Sequence, residues 1–91
     1  MYEVSIKKRV SKNVIKMPKD EQELFALLID DLSEFGPIQK QWQNFSPLGK
    51  EKRFNKYHCH LSYHWVACWK HEKNSIIIEV YYAGNRENAP Y

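Results

Sequence analysis

The stretch that decides the fold is Ile76-Ile-Ile-Glu-Val-Tyr-Tyr-Ala83, followed directly by Gly84. Its β-branched and aromatic residues pack well on a pleated sheet and the glycine interrupts the run, so the sequence predicts a buried last strand. The chain then ends in Asn85-Arg-Glu-Asn-Ala-Pro-Tyr91. A cation and a phenol at a sheet edge suit phosphate chemistry. The alternative is that the terminal Pro-Tyr only caps an edge.

Three earlier segments also have the pattern of strands. Tyr2 to Val10 alternates apolar and polar residues, which is typical of a half-buried strand. Lys56 to Ser62 and Trp65 to His71 are rich in aromatic and apolar residues and are separated by Tyr63-His64. The sequence therefore predicts two further strands joined by a tight turn ahead of the last one.

Two helices are predicted between the first strand and the others. Ser11 can cap a short helix over Lys12 to Met17, and Pro18 then ends it or starts the next. In the second helix, Asp20 and Glu23 have capping-box spacing, an apolar stripe follows, and Gly36-Pro37 supplies the stop. Ile38 to Asn55 has no clear period and is interpreted as a long loop with a basic end, a type of segment that is often functional.

Length, composition and charge limit the class of protein. The 91 residues fit one domain, 1–91, with a modest core, and no run of apolar residues suits a membrane span or an export signal. A cytoplasmic protein with two reduced thiols is therefore expected. Six of the eleven acidic residues fall in 20–34, which holds no Lys or Arg, so the other positions carry a net +9. A surface of that sign attracts polyanions such as RNA or DNA.

The turn between the two middle strands sets which side chains share a face of the sheet. If Tyr63-His64 is a two-residue turn, Cys59 lies opposite Cys68 on the face under the helices. The other face then collects the following residues, which would form a platform for stacking bases and moving protons: His58, His60, Trp65, Trp69, Glu79 and Tyr81.

The His58-Cys59-His60 triplet with Cys68 resembles a zinc-ligand set, but strand geometry argues against it. Both histidines point to one face and both cysteines to the other, and there is no Cys-x-x-Cys pair. We therefore expect no metal and no other cofactor, and we interpret the cysteines as small core residues. As cross-strand neighbours, they could form a disulfide on oxidation of the purified protein.

A combination of short segments along nearly the whole chain carries a family resemblance: Leu32-x-x-Phe35-Gly36-Pro37, Leu48-Gly49-Lys50, Tyr57-His-Cys-His-Leu61, Val66-Ala-Cys-Trp69 and Glu79-Val-Tyr-Tyr-Ala-Gly84 to Ala89-Pro-Tyr91. Together they resemble the RelE/ParE superfamily of bacterial type II toxin–antitoxin toxins, and most of all its RelE/HigB-like branch. The resemblance implies an α+β fold of order β-α-α-β-β-β, with an antiparallel sheet and two N-terminal helices on one face. It also implies a ribosome-dependent mRNA endonuclease, in which a ribose 2′-oxygen attacks the adjacent phosphate.

The resemblance also implies a set of site residues. Arg86 would hold the scissile phosphate, Tyr91 would stack or transfer a proton, and Lys50 and Lys52 would neutralise charge or act as the base. RelE has an arginine where this chain has His58, which leaves the acid–base roles of His58, His60 and the lysines open. The residues expected to contact RNA are Arg53, Lys56, Trp69, Tyr81, Lys7 and Arg9.

Each of these side chains also has a structural interpretation. In that interpretation the basic residues are only solvated, the histidines only form hydrogen bonds, and Trp65 and Trp69 pack against each other. ParE relatives of the same fold inhibit DNA gyrase, and a non-catalytic RNA-binding toxin is a third alternative. The expected partners are a cognate antitoxin, often a helix-turn-helix protein, together with the ribosome and mRNA, and no membrane.

Overall fold

A computed structural model describes residues 1–50 and 54–91 of the chain. These residues form one mixed sheet with two helices. The elements in chain order are β1 (Glu3–Ile6), α1 (Lys8–Val14), α2 (Lys19–Phe35), β2 (Ser46–Lys50), β3 (Phe54–His60), β4 (Trp65–Glu72), β5 (Ile77–Asn85) and a single 3₁₀ turn (Arg86–Asn88).

The strand order across the sheet is β1-β5-β4-β3-β2. The pairs β2–β3, β3–β4 and β4–β5 are antiparallel, whereas β1 runs parallel to β5. The α+β class with both helices near the N-terminus is confirmed, and the expectation of a purely antiparallel sheet is wrong for β1. Because β1 is the first strand and β5 the last, the rest of the chain forms the crossover that a parallel pair requires.

The structure adds one strand that the sequence did not predict. Part of the segment interpreted as a loop is β2, an edge strand that pairs with β3. Pro47 and Gly49 make this strand hard to recognise in the sequence, since both residue types are depleted in strands. The register against β3 shifts between these two residues. Proline is tolerated here because β2 has a neighbour on one side only.

The helices differ from the prediction at their N-termini. The first strand ends at Ile6, so α1 begins earlier than expected and Ser11 lies inside it, not at its cap. The α2 helix has Pro18 at its N-cap and no side-chain cap, so the expected capping box is not formed. Its C-terminus is as predicted, because Gly36 has φ +96°, and an added Cβ there would lie 2.7 Å from the ring of Tyr2.

The hydrophobic core lies between the helices and one face of the sheet. Phe25, Leu28 and Leu32 supply the buried stripe of α2, with Val10 from α1. Heptad-like spacing of these α2 residues places them on one side of the helix. They pack on the sheet residues Tyr57, Cys59, Leu61, Ala67, Trp69, Ile78, Val80 and Ala83.

The register of β3 against β4 differs by one residue from the expected one. His58 pairs with Cys68 and Cys59 with Ala67, because the turn has three residues between Leu61 and Trp65, not two. A slip of one residue exchanges the faces of one strand relative to the other. The prediction that the two cysteines lie opposite each other is therefore wrong.

None of the helices among the described residues has the length and apolar character needed to cross a membrane.

Candidate active site

The face of the sheet that the helices leave uncovered is the candidate functional surface. We refer to it as the open face. Cross-strand pairing of His58 with Cys68 and of Cys68 with Tyr82 assigns alternate residues of three strands to it. Its polar and aromatic members are Lys56, His58, His60, Lys70, Glu79 and Tyr82.

His58 lies near the centre of the open face and is 9% exposed. Its Nδ1 lies 3.2 Å from the hydroxyl oxygen of Ser46 on the neighbouring strand β2. The ring centroid of His60 is 5.9 Å away. Burial lowers the pKa of His58, a hydrogen bond to the backbone of Ser46 opposes this in part, and the charge of His60 lowers the pKa further. The imidazole is therefore biased toward its neutral form, which can accept a proton.

The end of the chain folds back across the sheet onto His58. The backbone N–H of Arg86 donates to the carbonyl of His64 at 2.8 Å, which fixes the terminal segment to the β3–β4 turn. The side chain of Asn85 accepts from the N–H of Asn88 and caps the 3₁₀ turn. As a result, the ring of Tyr91 packs on that of His58 with centroids 4.6 Å apart and an angle of 44° between the planes.

Cys68 lies beneath this cluster. It belongs to the open face and is nevertheless fully buried, so its neighbours cover it. Burial raises the pKa of its thiol to about 12. Burial likewise raises the pKa of Tyr82 and of Tyr91, and the nearby Cys68 raises both further. The two phenols therefore remain protonated at neutral pH and can act as hydrogen-bond donors.

Arg86 supplies a positive charge that acts on Tyr91. Its guanidinium carbon lies 4.9 Å from the ring centroid of Tyr63. Its charge lowers the pKa of Tyr91, against the larger effect of burial. Arg86 itself is exposed. The guanidinium is thus held against the ring of Tyr63, close enough to Tyr91 for its charge to act on the phenol, and an anion can reach it from solvent.

The other cations of the open face already have partners. Lys70 forms an ion pair with Glu79 at 3.3 Å and also lies over the ring of Phe54 at 4.6 Å. The ammonium of Lys56 lies 5.9 Å from the ring centroid of Tyr81. These contacts hold two ammonium groups above the sheet next to the His58 cluster.

The fold of this chain is similar to that of a toxin–antitoxin protein of known structure. The crystal structure of the archaeal RelE–RelB complex from Pyrococcus horikoshii OT3 contains a chain that matches with a TM-score of 0.82. The match covers 97% of this chain and 98% of that chain, at 22% sequence identity. The chain has the RelE-like fold. No protein-family model and no curated protein matches it.

The structure brings together part of the set expected from the sequence. His58, His60 and Tyr91 form one cluster, and Arg86 adjoins it. Lys52 and Arg53 lie outside the described residues. Lys50 is described through its backbone, which pairs with Asn55 at the end of β2.

Two expected RNA contacts lie elsewhere on the RelE-like fold, and a third is wrong. Lys7 and Arg9 are at the start of α1, which packs on β5, and β4 separates β5 from β3. Trp69 is on the helix-covered face and is 0% exposed, and its Nε1 donates to the carbonyl of Pro37 at 3.0 Å. A fully buried indole has no surface on which a base can stack, so the prediction for Trp69 is wrong and the residue is part of the core.

Ser46 and Tyr82 also belong to the site, although the sequence did not indicate them. Ser46 was within the segment interpreted as a loop, so its pairing with His58 was not foreseen. The face of Tyr82 depends on a register shift in β4–β5 between Cys68 and Trp69, which makes Tyr81 an extra residue. Strict alternation from Glu79 would have placed Tyr82 in the core, and no short-range pattern signals the shift.

The structure offers no metal site within residues 1–50 and 54–91, where no three His, Cys, Asp or Glu side chains are grouped suitably. Cys59 and His58 project to opposite faces, as alternation along β3 requires. The groups that the described part of the site presents are imidazole, phenol and guanidinium.

Proposed function

We propose that this chain is the toxin of a type II toxin–antitoxin module and an endoribonuclease that cleaves mRNA on the ribosome. The observation that carries the proposal is the packing of Tyr91 on His58 beside Arg86, on an open face of a RelE-like fold. The three groups match the three needs of RNA cleavage: accepting a proton, stabilising a charged phosphate and donating a proton.

In the proposed reaction, neutral His58 takes the proton of the ribose 2′-hydroxyl. The 2′-oxygen attacks the adjacent phosphorus and the bond to the 5′-oxygen breaks, which gives a 2′,3′-cyclic phosphate and a 5′-hydroxyl. Arg86 binds the phosphate oxygens through its guanidinium fork. Tyr91, whose raised pKa keeps it protonated, donates a proton to the leaving oxygen. The reaction as written needs no metal ion.

Three lysines would add positive charge around the bound RNA. Lys50 and Lys52 would add positive charge around the scissile phosphate, and Lys56 would bind a neighbouring phosphate. His60, two residues after His58 on β3, would lower the pKa of His58 through its charge. A cognate antitoxin would keep the enzyme inactive, and the ribosome would present the mRNA.

Cleavage of mRNA on programmed ribosomes tests the proposal. His58→Gln removes the base and should slow cleavage about 10²- to 10⁴-fold. Arg86→Ala should cost on the order of 10²- to 10³-fold, because a donor to the developing charge is lost. Tyr91→Phe keeps the stacking and removes only the proton, so its effect isolates proton donation. Lys73→Ala, at the exposed β4–β5 turn, is the control and should cleave normally.

Two results would contradict the nuclease. One is a wild-type protein that leaves mRNA intact at every codon tested, and the other is cleavage that survives both His58→Gln and Arg86→Ala. If the wild type instead inhibits DNA supercoiling by gyrase, the ParE-like alternative is supported. Binding of RNA without cleavage supports the non-catalytic alternative.

A further inference from the structure

A groove lies beside the second half of β5, at the edge of the sheet that β1 leaves unpaired. The pairing of β1 with β5 ends at Ile6 and Val80, whereas β5 continues to Asn85. Because α1 begins two residues after β1, it runs along this part of β5. The space between them contains two cavities of about 280 and 260 Å³. They adjoin, since Asn13, Tyr82 and Asn88 line both.

The chemistry of this α1–β5 groove is cationic, amide-rich and aromatic. Arg9 lines one cavity and Lys16 the other, on either side of the shared Asn13. Across from them lie Tyr82 and Asn88. Among the residues that the structure describes, no Asp or Glu lines either cavity. Side chains that can bind phosphate, hydrogen-bond base edges and stack on a ring are therefore gathered in one depression.

The wall formed by β5 and the 3₁₀ turn is held in place without a ligand. The hydroxyl of Tyr82 donates to the carbonyl of Asn85 at 2.7 Å, and the Asn85 side chain accepts from the N–H of Asn88 at 3.0 Å. An added Cβ at Gly84 would lie 2.8 Å from the Tyr82 hydroxyl oxygen, so the phenol packs directly on the glycine. A preformed wall reduces the ordering cost of binding.

The groove also adjoins the proposed reaction centre. Tyr82 pairs with Cys68 across β4–β5, Cys68 pairs with His58 across β3–β4, and Pro90, the neighbour of Tyr91, lines the groove. Tyr82 thus faces the groove on one side and the cluster of His58 and Tyr91 on the other. A linear polyanion bound along the groove would therefore extend toward the proposed site of cleavage.

We propose that the α1–β5 groove binds single-stranded RNA next to the scissile phosphate, an inference that rests on the proposed function for its direction toward His58. Arg9 and Lys16 bind successive phosphates, the amides of Asn13 and Asn88 hydrogen-bond a base edge, and Tyr82 offers its ring for stacking. Single-stranded RNA fits better than a duplex, because its unstacked bases can enter a cavity of this size and its edges are free.

Binding of an uncleavable 2′-O-methyl oligoribonucleotide, followed by fluorescence anisotropy, tests the groove independently of catalysis. Arg9→Ala and Lys16→Ala should each lower the affinity and reduce the slope of log affinity against log salt by about 0.7, the value for one phosphate contact on a single strand. Tyr82→Leu should weaken binding roughly 5- to 150-fold through lost stacking, whereas Tyr82→Phe, which keeps the ring and loses only the hydroxyl bond to Asn85, should weaken it less. Lys73→Ala is the matched control for charge and should change neither affinity nor slope.

The outcomes separate the groove from the nuclease. If the wild type cleaves mRNA on ribosomes while the groove variants bind the oligonucleotide normally, the groove inference is overturned and the nuclease stands. If the variants lose binding as expected but the wild type cleaves nothing, the groove stands and the nuclease falls. Lack of wild-type binding up to millimolar oligonucleotide, or equal binding of a duplex of the same sequence, also overturns the groove. Urea unfolding of each variant identifies any loss of binding caused by misfolding.

Discussion

Replacing Trp69 with Phe distinguishes the two roles that this residue can have. In the core, the indole is 0% exposed and its Nε1–H donates to the carbonyl of Pro37. On an RNA platform, it would be accessible and largely free of such contacts. We expect Trp69→Phe to destabilise the protein strongly while leaving the RNA affinity of the folded fraction unchanged.

Two effects set the size of that destabilisation. The buried Pro37 carbonyl loses its donor, which costs about 1–3 kcal/mol. The smaller ring also leaves a void in a core that rings of Phe45 and Tyr57 help to form, with centroids 6.1 and 6.3 Å from that of Trp69. A change of this kind costs about 1–2 kcal/mol. The free energy of unfolding should therefore fall by about 2–5 kcal/mol, and Tm by at least about 8 °C.

Urea unfolding followed by circular dichroism measures the change. Trp42→Phe is the matched control, because its indole also donates a hydrogen bond, to Asp31 Oδ2 at 2.9 Å, but is only half-buried. Water can replace that bond, so its loss should cost less than about 1.5 kcal/mol. A Trp69→Phe protein that is as stable as the wild type, whether or not it binds RNA more weakly, would refute the assignment of Trp69 to the core.

Two further predictions concern titrating groups. The pKa of His58 is lower in the folded protein than its ordinary 6.5, so the folded state binds the proton less tightly than the unfolded state. The free energy of unfolding should hence be highest above pH 6.5 and fall as the pH drops through the folded-state pKa of His58, and this decline should be smaller in His58→Gln, as measured by urea titrations at several pH values. Cys59 and Cys68 both have a pKa of about 12 and are fully buried, so iodoacetamide at pH 8 should label them only on unfolding, as followed by mass spectrometry. Rapid labelling of the native protein, or a Cys59–Cys68 disulfide after oxidation, would contradict this placement on opposite faces.

The parts of the fold that the sequence predicted well are those with strong local patterns. The apolar stripe of α2 and its glycine stop survive in the structure, as do the last three strands within two residues of their ends. Local propensity and periodicity are sufficient for such elements, because their burial follows directly from the spacing of apolar residues.

The features that failed depend on single-residue geometry. One extra residue in the turn after Leu61 exchanged the faces of β3 and β4, which moved Trp69 into the core and separated the cysteines. The register shift in β4–β5 then brought Tyr82 to the open face. The composition of a turn or strand does not fix such counts, since a two- and a three-residue hairpin can share the same polar residues. The packing of Tyr91 on His58 is a contact between residues far apart in the sequence. The sequence indicated it only through the cation and the phenol near the end of the chain.

The sheet also resolves an apparent conflict in the charge distribution of the chain. An RNA-binding protein gains nothing from six acidic residues in one segment unless they are kept away from the RNA. Asp20, Glu23, Asp30 and Glu34 are exposed on the side of α2 that faces away from the core. They are separated from the open face by the sheet and by a helix about 10 Å across. At physiological salt the screening length is about 8 Å, so their field is largely lost before it reaches His58 and Arg86.

At about 0.01 M salt the screening length grows to about 30 Å and the carboxylates oppose binding. We therefore expect RNA affinity to rise less steeply at the lowest salt concentrations than phosphate contacts alone would give. Replacing Asp30 and Glu34 with Asn and Gln should restore the steeper dependence while leaving affinity at physiological salt unchanged.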